Sequence, residues 1–331
     1  MSFYKNKRVL VTGGTGLIGI VVVRKLLEQG AKVSVAALKH HGPLYPDVEF
    51  YQGNLTNWDF CKRLVKNVDF VFHLACTKGN VTNGQSMSAS FFVPHLIFNT
   101  FMMEAARQGN IDRYLYASTI GVYPDLPSFF KEENAWQGAP HPTNFYSGWA
   151  KRMGELQAEA YKSQFGWDKI AIVRPAHVYG PFDDFNASSS LVIPSLIRRA
   201  LARKNPFVVW GDGKAVRDFI YVDDVADGIL SALENAADCT PINLGSGEPT
   251  TIRDLVQLIG SFVPGLHIEW DTSKPNGQPM RVLDISLAQS RLGFQPKVSL
   301  QEGIGKTIEW YEECKENLPQ FHHPLHEENL I

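Results

Sequence analysis

Two rhythms of apolar residues alternate along the first half of this chain. Short unbroken apolar runs, such as Val9-Leu10-Val11, read as buried strands, and longer segments with apolar residues three and four apart read as helices. Strands are predicted at 9–11, 32–38, 48–52, 68–74, 113–118 and 170–173. Helices are predicted at 21–29, 58–66, 91–108 and 147–165. The alternation predicts an α/β fold, a doubly wound parallel sheet with helices on both faces. In such sheets ligands sit outside the carboxyl ends of the strands.

Beyond Pro175 the rhythm weakens. Proline, glycine and polar residues dominate 180–190, and 274–279 is a loop rich in Pro and Gly. Helix-like pieces remain at 193–202, 225–235 and 252–263. Residues 1–175 are therefore expected to form the sheet domain. Residues 176–331 are expected to form mainly a smaller, less regular domain, with some segments returning to the first.

Bulk properties narrow the function. With 331 residues, 44% of them hydrophobic, the chain can bury a large core. A net charge of −2 gives no electrostatic footprint for nucleic acid. No apolar run approaches the ~20 residues of a membrane span, and Met1-Ser2-Phe3-Tyr4-Lys5 lacks a signal-peptide core. A cytoplasmic location is expected. Cys61, Cys76, Cys239 and Cys314 lie far apart without metal-ligand spacing, which suits reduced thiols. His322, His323 and His326 read as a solvated tail, not a metal site.

The most informative stretch is Thr12-Gly13-Gly14-Thr15-Gly16-Leu17-Ile18-Gly19, between the first strand and first helix. Its glycines fit G-x-G-x-x-G through Gly14, Gly16 and Gly19, and G-x-x-G-x-x-G through Gly13, Gly16 and Gly19. Glycine permits close backbone approach and φ > 0. The N–H groups at the helix start, around Leu17 and Ile18, and the helix dipole suit a pyrophosphate. The order strand, glycine turn, helix is what a dinucleotide site requires. A carboxylate ending the second strand would favour NAD. The stretch Val35-Ala36-Ala37-Leu38-Lys39-His40-His41 has none, and Lys39 or the histidines suit a 2′-phosphate, so NADP is favoured slightly over NAD.

Four later segments add chemistry: Ser118-Thr119-Ile120-Gly121-Val122-Tyr123, Phe145-Tyr146-Ser147-Gly148-Trp149-Ala150-Lys151, Arg174-Pro175-Ala176-His177-Val178-Tyr179-Gly180-Pro181, and Arg217-Asp218-Phe219-Ile220-Tyr221-Val222-Asp223-Asp224. In this order and spacing, with the glycine run, they resemble the extended short-chain dehydrogenase/reductase family over nearly the whole chain. The nearest pattern is the nucleotide-sugar epimerase/reductase type, similar to GDP-fucose synthases and UDP-glucose 4-epimerases. The resemblance implies a Rossmann-type domain, a smaller C-terminal substrate-binding domain, NADP or NAD, and a nucleotide-diphosphate sugar as substrate.

It also implies roles. Thr119 would hydrogen-bond the sugar oxygen, and Lys151 would grip the nicotinamide ribose and lower the pKa of a nearby tyrosine. A phenol is a poor base at neutral pH until a fixed cation stabilises its anion. Besides the glycine loop, Asn54-Leu55, Leu74-Ala75-Cys76, Pro175, His177 and Val178 would line the cofactor. Arg217 and Arg281 would hold the diphosphate, because guanidinium forks match phosphate oxygens. Asn186 and Trp210 would line the nucleotide pocket, and His177 would contact substrate or simply be a buried, hydrogen-bonded histidine. Relatives pair through two helices each, which implies a homodimer through 91–108 and 147–165. Phe98, Phe101, Met102 and Leu156 then serve either that contact or the core.

The chain departs from the family at its catalytic pair, Tyr-x-x-x-Lys. Four residues before Lys151 stands Ser147, and Tyr146 is one residue too early, about 100° off around a helix. Three readings follow: Tyr146 acts through an irregular helix start, Ser147 replaces the tyrosine, or oxidoreduction is impaired. Replacement at Ser147 is favoured, because the rest of the helix keeps its register. The Asp-Glu pair of dehydratases is Ile120-Gly121 here, which disfavours 4,6-dehydration. The cysteine near Gly121 and histidine near Leu191 of GDP-fucose synthases are missing, which disfavours 3,5-epimerisation. What remains is hydride chemistry at C4. The leading expectation is a 4-epimerase. The alternatives are a 4-keto-sugar reductase or 4-dehydrogenase, and a catalytically impaired sugar-nucleotide-binding protein.

Overall fold

The computed structural model describes residues 2–38, 45, 48–76, 88–203, 205–274 and 276–316. In chain order the first half contains β1 (Arg8–Thr12), α1 (Leu17–Glu28), β2 (Lys32–Ala37), β3 (Glu49–Gln52), α2 (Trp58–Leu64), β4 (Phe70–His73), α3 (Ser88–Gln108), β5 (Arg113–Ala117), α4 (Phe145–Phe165) and β6 (Ile170–Pro175). The second half contains β7 (His177–Tyr179), α5 (Val192–Leu201), β8 (Phe207–Trp210), β9 (Val216–Arg217), β10 (Phe219–Tyr221), α6 (Val222–Asn235) and β11 (Pro241–Leu244). It closes with β12 (Thr250–Thr251), α7 (Ile252–Phe262), β13 (Ile268–Asp271), β14 (Met280–Arg281), α8 (Ser286–Leu292) and α9 (Leu300–Cys314).

Seven strands form one parallel sheet in the order β3-β2-β1-β4-β5-β6-β11. The doubly wound fold read from the alternation is present. The winding reverses between β1 and β4, so a crevice opens there at the carboxyl ends. Side chains alternate between two cores, as a strand's period of two requires. Val9, Val11, Phe72, Leu115 and Val173 enter one, while Leu10, Val71, Tyr114, Tyr116 and Ile172 enter the other. Burial on both faces explains why these strands read as unbroken apolar runs.

The second half holds three small sheets, β7 with β10, β12-β9-β14, and β8 with β13. Their strands span two to four residues, too few to show a period in sequence. Two segments return to the main sheet. Strand β11 pairs with β6, and α6 packs beside α1, where Lys25 reaches Asp227 at 2.7 Å and the Tyr4 hydroxyl donates to the Leu230 carbonyl at 2.7 Å.

Of the residues weighed for a dimer face, Phe98 and Met102 belong to the core: α3 lies on the sheet and both side chains are buried under it. Phe101 packs partly against that core, and Leu156 is exposed. Among the described residues no helix is long and apolar enough to cross a membrane. His322, His323 and His326 lie outside the described residues.

Candidate active site

The glycine turn joins β1 to α1, and packing dictates three of its glycines. Gly13 has φ +71°, and a Cβ there would stand 2.8 Å from the backbone of Ala75. One on Gly14 would stand 2.8 Å from Val35, and one on Gly19 only 2.2 Å from the Gly13 oxygen. At Gly16 a Cβ would meet only the Gly13 oxygen, at 3.5 Å, so the fold leaves room there. Helix α1 opens on Gly16 with no side-chain cap and no acidic residue in its first turn. Its first internal bond runs from the Ile20 N–H to the Gly16 carbonyl. The N–H groups of Leu17, Ile18 and Gly19 therefore lead out of the helix end, an anion-binding arrangement.

Leu74, Ala75 and Cys76 leave β4 beside this turn, with the Leu74 N–H on the Thr12 carbonyl at 3.1 Å. Below them, Thr12 Oγ1 lies 2.8 Å from His73 Nδ1, and His73 Nε2 lies 3.0 Å from Asn99 Oδ1. Burial, with Lys151 nearby, pushes the His73 imidazole down to about 3, so it stays neutral. Asn54 spends its Oδ1 on the Thr56 N–H at 3.0 Å. The Leu55 side chain is buried in the core beneath α2. Lys39 lies outside the described residues.

The β5 end and α4 assemble the next group. Lys151 is buried, and its Nζ donates to the Ala117 carbonyl at 2.8 Å while lying over the Tyr116 ring. Burial pushes the ammonium's pKa down, with Cys76 and Glu155 acting against that. Helix α4 is continuous from Phe145 and follows directly on a 3-10 turn over Pro142–Asn144, so Tyr146 lies in its first turn. Ser147 sits one turn before Lys151, and its Oγ donates to the Asn144 carbonyl at 3.2 Å. Tyr146 is exposed and packs edge-on against Phe92. Thr119 caps a short 3-10 turn, its Oγ1 accepting from the Gly121 N–H at 3.2 Å.

Sequence reasoning missed the latch beneath this group. Ser118 Oγ donates to Glu155 at 2.5 Å, and Arg174 grips the same carboxylate at 2.6 and 3.0 Å. Glu155 and Arg174 are both buried. Glu155 follows Lys151 by one helical turn, a spacing that could have flagged it.

Arg217 and Arg281 are register partners on β9 and β14, so their side chains leave the same face of that small sheet. Burial pushes the Arg217 guanidinium down to about 10. Burial and then Arg217 push Arg281 down to about 9. Arg217 Nη1 donates to the carbonyls of Val216 and Gln278, both at 2.7 Å. Arg281 Nε is buried, with no hydrogen-bond partner among the described residues. His177 stands nearby, its Nδ1 3.0 Å from the Asp218 carbonyl, and burial plus the two arginines hold it neutral. His177 is thus hydrogen-bonded and partly buried. Pro175 is buried at the β6 end, and Val178 is partly buried. Asn186 is exposed and spends its Oδ1 on Ser188, and Trp210 is 62% exposed with the Lys274 ammonium over its ring.

Comparisons with known proteins bear on the family and the fold. The NAD dependent epimerase/dehydratase family matches residues 9–245. GDP-L-fucose synthase 1 of Arabidopsis thaliana is 33% identical over 318 residues, covering 93% of this chain and 94% of that protein. The UDP-glucose 4-epimerase of Thermotoga maritima, solved with UDP-glucose, superposes with TM-score 0.82 at 29% identity, covering 93% of this chain and 99% of that one. A GDP-L-fucose synthetase from Naegleria fowleri bound to NADP gives TM-score 0.82 at 25% identity, covering 96% of each chain.

Proposed function

This chain belongs to the NAD dependent epimerase/dehydratase family and is an enzyme, and on that premise we propose that it transfers hydride at C4 of a nucleotide-diphosphate sugar, as a 4-epimerase. One observation carries the substrate class: two adjacent, partly buried guanidiniums, one with a buried Nε that has no hydrogen-bond partner among the described residues. A buried cation without a partner costs stability. A diphosphate would repay that cost, and a small apolar carbonyl would not.

The residues fit a dinucleotide. Gly16 leaves room for close approach, and the N–H groups of Leu17, Ile18 and Gly19 suit its pyrophosphate. Bound NAD(P) supplies the hydride acceptor and donor. On this reading Lys151 holds the nicotinamide ribose, Thr119 orients the sugar oxygen, and Arg217 with Arg281 fix the diphosphate. Leu38 follows β2 where a carboxylate would select NAD, which supports NADP. Exposed Phe145, Leu156 and Phe165 on α4 support a homodimer, and we read the enzyme as cytoplasmic.

A 4-keto-sugar reductase or 4-dehydrogenase uses the same parts in one direction, and the fucose synthase relative supports it. Impaired turnover is the other alternative, supported by Ser147 standing where a tyrosine base would.

Mass spectrometry of denatured, as-purified protein tests the proposal by identifying released dinucleotide and nucleotide sugar. Deuterium exchange at C4 of bound sugar then separates epimerisation from one-way transfer. Thermal stabilisation by apolar carbonyls but by no nucleotide sugar would overturn it.

A further inference from the structure

Cys76 lies just past the end of β4 beside the glycine turn, and its thiol is exposed. Its Sγ stands 3.3 Å from His95 Nε2 on α3. The other ring nitrogen, Nδ1, meets the Phe91 carbonyl one turn earlier. A carbonyl can only accept, so Nδ1 carries the proton. In the neutral ring Nε2 then holds a lone pair, and the thiol donates to it. The sulfur thus has an oriented base.

A cation also acts on this region: the Lys151 ammonium is fixed on the Ala117 carbonyl, and its charge and that of Cys76 favour each other. Tyr116, whose ring lies under that ammonium, feels Cys76 as well. A base that takes the proton and a cation that steadies the anion are what make a thiol nucleophilic.

The other cysteines provide contrast. Cys61 is buried, donates to the Leu55 carbonyl at 3.2 Å, and is pushed up to about 12 by burial. Cys239 is pushed up to about 11, mainly by burial. Cys314 sits at the last position of α9.

We propose that Cys76 is a nucleophilic thiol, activated by His95, whose modification closes the dinucleotide crevice. The second half rests on the cofactor reading above. With hydrogen peroxide as oxidant, His95 Nε2 takes the thiol proton and the sulfur attacks one peroxide oxygen. The O–O bond breaks, and the departing hydroxide takes the proton from His95 and leaves as water. Sulfur is oxidised to a sulfenic acid as peroxide is reduced. Cys76 follows Ala75, whose backbone leaves no room for a Cβ on Gly13, so bulk added at Cys76 is expected to narrow the entrance where a dinucleotide would lie.

Maleimide labelling of the full chain at pH 7, followed by peptide mapping, tests the first half. Cys76 should label roughly tenfold or more faster than Cys314. His95→Gln should slow Cys76 while leaving Cys314 unchanged in the same sample, and Cys76→Ser should remove the fast label. Equal rates at Cys76 and Cys314 would overturn the proposal. For the second half, protein labelled only at Cys76 should lose the NADPH and NADH binding that unlabelled protein shows by fluorescence titration. Undiminished binding after labelling would overturn it. Unlabelled protein that binds neither dinucleotide refutes the cofactor reading instead, and the labelling rates still decide whether the thiol is activated.

Discussion

Ser147 stands one helical turn before Lys151, on the side of α4 that faces the β5 end, with its hydroxyl on the Asn144 carbonyl and the lysine ammonium on the Ala117 carbonyl. A serine hydroxyl is a far weaker acid than a phenol and is shorter, so on the proposed reading the proton-transfer group is deficient at this position. Ser147→Tyr should raise the rate of hydride transfer by about 10²–10⁴, the usual worth of a positioned general acid–base. Single-turnover formation or consumption of NAD(P)H measures it. An unchanged rate would show that another group carries the proton.

Glu155 is held at once by Ser118, which precedes Thr119, and by Arg174 at the next strand. Removing one partner of a buried ion pair typically costs about 3–5 kcal/mol. Glu155→Ala should therefore lower stability by that order in urea denaturation and loosen Thr119 and Lys151 together. A loss under about 1 kcal/mol would mean that water replaces the carboxylate easily.

Arg281 is partly buried, its Nε has no hydrogen-bond partner among the described residues, and it stands beside a second guanidinium. Arg281→Met should raise the melting temperature of the free protein. It should also weaken nucleotide-sugar binding roughly 10–150-fold, the equivalent of about 1.5–3 kcal/mol of charge-assisted hydrogen bonding. Calorimetric titration and thermal unfolding give both numbers. Unchanged affinity would place the diphosphate elsewhere.

Gly16 and Gly19 should respond oppositely to alanine. Gly19→Ala sets a Cβ 2.2 Å from the Gly13 oxygen and should fail to fold normally. Gly16→Ala has room at 3.5 Å, so it should fold yet bind dinucleotide poorly. Circular dichroism paired with NADPH fluorescence distinguishes the two. Full dinucleotide binding by Gly16→Ala would argue against close approach at that residue.

His73 is neutral in the fold, pushed down to about 3 against an ordinary 6.5. Between those values the unfolded chain binds a proton that the folded protein does not, so stability rises with pH and falls on acidification. The slope from this group is roughly 1.4 kcal/mol per pH unit below its ordinary pKa. Urea midpoints from pH 7 to pH 4 should fall less steeply in His73→Gln than in the parent. Parallel slopes would assign the acid sensitivity to other groups.

The sequence by itself determined the alternating strands and helices, the glycine turn, and the register that puts Ser147 instead of Tyr146 before Lys151. Each is encoded within a few neighbouring residues, through the strand period of two, the helical turn, or the φ that only glycine adopts easily. Tertiary structure decided the rest. Leu55, Phe98 and Met102 turn into the core because of how α2 and α3 lie on the sheet. Strand β11 joins the main sheet from well into the second half of the chain, and Arg217 meets Arg281 across strands two residues long. Cys76 finds its base on α3, and Ser118 finds its carboxylate on α4. Such pairings depend on packing between segments distant along the chain, and no local pattern of residues carries that information.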